Sequence, residues 1–100
     1  REERLCLCGS MAADLLTLSE EVQGEVKAYF ADTEAWLQAT LEQGREAGEF
    51  AFHGTAKETA RVILALLEGA LLTARSFGSP KRLREIKRWI LNDLLSVENA

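Results

Sequence analysis

One proline and seven glycines in 100 residues leave little material for the many turns of a β-rich fold. No apolar run reaches the roughly 18 residues that mark a membrane span, and no secretory signal stands at the start. The two cysteines, Cys6 and Cys8, lie too close in sequence to staple a fold, so a reduced, cytoplasmic protein is expected. A single histidine, His53, with no serine–histidine–acid pattern, no phosphate loop and no HExxH, argues against an enzyme and against a cofactor. Positive charge is not in surplus either. The formal net charge is −4, and an acidic chain is a poor direct partner for nucleic acid, where affinity comes mostly from neutralised phosphates.

What is present is helix-forming material: alanine, leucine, glutamate, lysine and arginine dominate. The length fits one domain, and the pattern predicts an all-α fold of about four helices in an antiparallel bundle. The first expected helix covers roughly Leu5 to Leu16, with Gly9-Ser10 weakening it or marking its true start. The second runs from about Ser19 to Ala47. Thr17 with Glu20, or Ser19 itself, offers its cap, and Gly44 and Gly48 mark its end. Its apolar positions, Val22, Val26, Tyr29, Phe30, Trp36, Leu37 and Leu41, recur at helical spacing. A short connector, "GEFAFHG", precedes a capping box at Thr55–Glu58, which opens a third helix ending at Phe77. Gly78-Ser79-Pro80 then supplies a C-terminal glycine, an N-cap and a first-turn proline, so the third and fourth helices form a tight αα-hairpin. On the fourth, Leu83, Ile86, Ile90, Leu94 and Val97 share one face, which Leu91 and Leu95 widen.

The third helix has more than one apolar side. At about 100° per residue, Lys57, Arg61, Glu68 and Arg75 fall in one narrow polar strip. Ile63, Leu66, Leu67, Ala70, Ala74 and Phe77 form a bulky face suited to the core. Val62, Ala65, Gly69, Thr73 and Ser76 form a second face of small residues, which permits a close helix approach. A second copy of the chain is the expected neighbour, the two hairpins forming an intermolecular four-helix bundle. The predicted interface is therefore Val62, Ala65, Gly69, Thr73, Ser76, Leu83, Ile86, Ile90 and Leu94.

Few residues suggest chemistry. Cys6 and Cys8 are redox candidates, but on a helix they point about 200° apart. Packing in an apolar helix is the plainer reading, and metal is not expected. The basic cluster Lys81, Arg82, Arg84, Lys87 and Arg88 reads either as a solvated face or as a surface for an acidic partner. Tyr29, Phe30, Trp36 and Met11 form either plain core or the wall of a ligand pocket.

"CLCGSMAADL" resembles the Gly-Cys-Leu-Leu-x-Asn-x-Ala-x-Glu-Leu stretch of TetR-family transcriptional regulators, with Cys6, Leu7, Ala12 or Ala13, Asp14 and Leu15 fitting it and Leu5 departing from its glycine. "LEQGREAGEF" is similar to the end of that family's long central helix, and "ARVILALLEGALLTAR" to its dimerising helix. The resemblance implies that residues 1–100 are the carboxy-terminal effector-binding and dimerisation domain of a bacterial repressor, whose amino-terminal helix-turn-helix domain lies outside this chain. It implies a homodimer without a membrane, DNA contact only through the missing domain, and a small apolar or aromatic inducer that allosterically releases DNA. Candidate lining residues are Met11, Leu15, Tyr29, Phe30, Thr33, Trp36, Ile63 and Leu67, and Cys6 matches a position that some members use to sense electrophiles or oxidants. The alternatives are a helical dimerisation or adaptor module without a small ligand, and a cysteine-based redox or electrophile sensor.

Overall fold

The computed structural model describes Gly9, Met11, Asp14 and residues 17–97. Among these residues every regular element is helical and there is no strand. Of the expected first helix, Gly9 and Met11 are helical and Asp14 lies in a turn. Cys6, Cys8 and Leu15 lie outside the described residues. The second, third and fourth expected helices are here α1 (Glu20–Glu46), α2 (Ala56–Ser76) and α3 (Pro80–Trp89).

Local chemistry fixes the helix ends. Ser19 is extended, and its Oγ accepts the Val22 N–H at 3.3 Å, so it starts α1 rather than Thr17. Thr55 does the same for α2, accepting the Glu58 N–H at 3.1 Å. Gly48 and Gly78 follow the two helices at φ 76° and 60°, a left-handed conformation that glycine adopts without the Cβ penalty. Ser79 caps α3 only through its extended backbone; no side-chain bond is formed, and Pro80 provides the first turn.

Gly44 does not end α1. The helix continues to Glu46, and Gly44 is buried beneath the Phe50 ring, whose Cε2 and Cγ lie 2.7 and 3.0 Å from where a Cβ would stand. Arg45 then clamps the connector. Its Nη2 donates to the Phe52 carbonyl at 2.8 Å and to the Gly54 carbonyl at 2.9 Å, and its guanidinium lies 3.6 Å from the Phe52 ring centre. This short connector returns α2 along α1, and α2 packs on both α1 and α3. The core lies at this end, where Leu41, Phe52, Ala56, Ala60, Ile63, Ile90 and Leu95 are buried together.

The end of the fourth helix departs from the expected continuous stripe. After Trp89 the chain makes a π-helical turn, Ile90–Leu94, in which the Leu95 N–H donates to the Ile90 carbonyl at 2.9 Å. The wider turn puts Ile90 and Leu95, five apart, into one core, while Leu91 and Val97 are exposed. The Ala51 N–H donates to the Leu95 carbonyl at 3.2 Å, tying this turn to the α1–α2 connector. Phe77 also departs from its expected core position. It is 66% exposed, with the Arg82 guanidinium 3.7 Å from its ring centre.

Candidate functional site

The outer face of α2 stands open. Val62, Ala65, Gly69, Thr73 and Ser76 are all exposed, Val62 by 50%. Among the described residues, no side chain or neighbouring element comes within 4 Å of a Cβ built on Gly69. The two hydroxyls of this face are turned back onto their own helix. Thr73 Oγ1 donates to the Gly69 carbonyl at 2.8 Å, and Ser76 Oγ donates to the Leu72 carbonyl at 2.8 Å. Their donors are used locally, so the face offers methyl and Cα surface rather than unsatisfied polar groups. Beside it, Leu83, Ile86 and Leu94 are half-buried. Ile90, predicted for the interface, is buried in the chain's own core.

The candidate ligand residues are distributed unevenly. Met11, Tyr29, Phe30 and Leu67 are half-buried, and Thr33 and Ile63 are buried. The Tyr29 and Phe30 rings lie 6.3 Å apart at 59°. Thr33 Oγ1 donates to the Tyr29 carbonyl at 2.9 Å, so this buried hydroxyl is satisfied within α1. Ile63 packs in the core with Leu41 and Ala60. Trp36 is 53% exposed and turned from that core.

Glu68 is the residue that helical patterning misplaced. The polar strip puts it in solvent with Lys57, Arg61 and Arg75, and those three are exposed. Glu68 is not: both carboxylate oxygens are buried and neither has a hydrogen-bond partner among the described residues. Gly9 lies against it, so close that a Cβ there would collide with Glu68 Oε2 and stand 3.9 Å from Leu72 Cδ1. Burial pushes the Glu68 carboxyl above its ordinary range, because it disfavours the charged form. The signal in the sequence is the isolation of Glu68, the single charge between Val62 and Leu72. The Tyr29 hydroxyl is likewise buried and unpartnered among the described residues.

Two further surfaces complete the picture. An open recess of about 520 Å³ at the α1–α2 connector is lined by Arg45, Phe50, Phe52, His53 and Val97, none of them a predicted ligand residue. On α3, Lys81, Arg84 and Arg88 edge a shallow recess with Glu85, which pairs with Lys81 at 3.6 Å. Among the described residues no three histidine, cysteine or acidic side chains are grouped to hold a metal ion, and no helix is long and apolar enough to cross a membrane.

Residues 2–90 match the family described as Tetracyclin repressor-like, C-terminal domain. The chain belongs to this family. No curated protein and no solved structure matches it.

Proposed function

We propose that this chain is the effector-sensing and dimerisation domain of a TetR-like transcriptional repressor. The observation that carries the reading is the open outer face of α2. A glycine with empty space around it, flanked by small residues whose hydroxyls are satisfied locally, suits a second helix at close range. In the proposed homodimer, Val62, Ala65, Gly69, Thr73 and Ser76 meet the hairpin of a second copy, and Leu83, Ile86 and Leu94 extend the contact. Such an interface would bury on the order of 2,000 Å² or more and be largely apolar.

The effector is a small apolar or aromatic molecule held among α1, α2 and the segment containing Gly9 and Met11. It binds one of two arrangements of the dimer better than the other, and that difference in affinity moves the spacing of the DNA-reading heads. Sedimentation of the chain at micromolar concentration tests the dimer; a monomer under those conditions overturns it. A thermal-shift screen against small aromatic and aliphatic compounds tests the sensor. A dimer that no compound stabilises favours an adaptor module instead.

A further inference from the structure

From the buried, unpartnered carboxylate on α2, and resting on the effector-sensing reading, we infer that Glu68 is the anchor for an apolar organic cation with N–H donors. Natural proteins rarely bury a carboxylate without a partner, because neither water nor a donor then offsets the lost solvation. Both Glu68 oxygens are buried without a partner among the described residues. Among the described residues no ion pair holds the group there, and its neighbours one turn away on α2, Leu64 and Leu72, are apolar.

An ionised carboxylate only accepts hydrogen bonds, so what completes it must donate. A cation does this and also reverses the effect of burial on the charged form. An anion or a pure acceptor does neither. The apolar surroundings fix the rest of the ligand, whose body is hydrocarbon rather than polar. On α1, which packs against α2, the Tyr29 hydroxyl is also buried without a hydrogen-bond partner among the described residues. Tyr29 and Glu68 both lie in the half of their helix away from the connector, outside the core cluster around Leu41 and Phe52.

The test uses three probes of one shape on the full chain: 3-phenylpropylamine, 3-phenylpropanol and 3-phenylpropionate, by thermal shift and calorimetry. The amine is expected to bind about tenfold more tightly than the alcohol, the increment of one charge-assisted hydrogen bond, and the acid is expected not to bind. Glu68→Gln should bring amine and alcohol level. Glu68→Leu should remain folded, melt higher than the wild type without a probe, and lose the amine preference. Equal binding of all three probes, a preference for the alcohol or acid, or binding by none of them overturns the cation anchor. So does an amine preference that survives in Glu68→Gln. A Glu68→Leu chain that fails to fold also overturns it, because the carboxylate would then be holding the structure. Alcohol or acid binding that ignores Glu68 leaves the effector-sensing reading standing, so the two failures are distinct.

Discussion

Gly44 on α1 and Gly69 on α2 are both interior to a helix, where glycine costs about 1 kcal/mol relative to alanine. Their surroundings differ completely. Gly44 is buried, and the Phe50 ring occupies the place of its missing side chain. Gly69 is exposed, and none of the described residues approaches its missing side chain within 4 Å. The first glycine is explained within the chain, since a Cβ would displace a ring that closes the connector. The second has no such reason inside the chain. In the proposed dimer, a helix of the second copy is the neighbour that makes use of the close approach.

The comparison can be broken most forcefully at Gly69. Gly69→Glu would bury an unpaired charge between two helices, and the dimer is expected to be lost at micromolar concentration. Sedimentation checks this, and a variant that stays dimeric removes the reason for contrasting the two glycines. Next comes Gly44→Ala. Its methyl must displace Phe50, and a loss of about 1–3 kcal/mol is expected by chemical denaturation. The same change at Gly69 separates the cases, since in a chain that stays monomeric it should stabilise by about 1 kcal/mol, whereas a close-packed dimer should lose stability.

A third measurement concerns pH. Burial raises the Glu68 carboxyl in the folded chain above its ordinary value of 4.5, so the folded state holds this proton to higher pH than the unfolded state. Stability attributable to Glu68 therefore falls as pH rises from near 4.5 through the raised folded value. The difference in melting temperature between wild type and Glu68→Gln, followed across that window, should move against the wild type with rising pH. A difference that stays flat contradicts the burial. The smallest effects are expected on exposed positions. Trp36→Ala should cost less than the roughly 3–5 kcal/mol of a core tryptophan, because about half of the residue is already exposed. Arg75→Glu, on the polar strip, should leave the sedimentation of the dimer unchanged.

How much of this was legible depends on whether the deciding physics was local. Ser19, Thr55, Gly48, Gly78 and Pro80 act on backbone groups a few residues away, and the helix boundaries they imply agree with the structure to within the cap residues. The π turn at Ile90–Leu94 carries no comparable mark. It exists because Leu95 is seated in the core and its carbonyl receives Ala51, contacts made with a segment some forty residues earlier. Gly44 looked like a helix stop for the same reason, since nothing nearby in sequence says that Phe50 folds back over it. At the candidate site, periodicity places Tyr29, Thr33, Trp36, Ile63 and Leu67 on helix faces but does not say which face meets which neighbour. Ile63 joined the core and Trp36 turned outward. A wheel describes one helix alone and groups Glu68 with the polar strip, whereas the approach of Gly9 is a property of two segments.

The Arg45 clamp and the Ala51–Leu95 bond have a mechanical meaning for the long helix they terminate. With 27 residues, α1 is about 40 Å long. With the connector as the fixed point, α1 would act as an arm with its pivot at one end. A tilt of about 5° about that pivot would carry the Glu20 end through roughly 3–4 Å, from the rise per residue alone. The same tilt would scarcely move Phe52 or Leu41, so the core could stay packed while the far end swings. Tyr29 and Phe30 sit well out along the arm, where a side chain or ligand pushing between helices acts with most of its leverage.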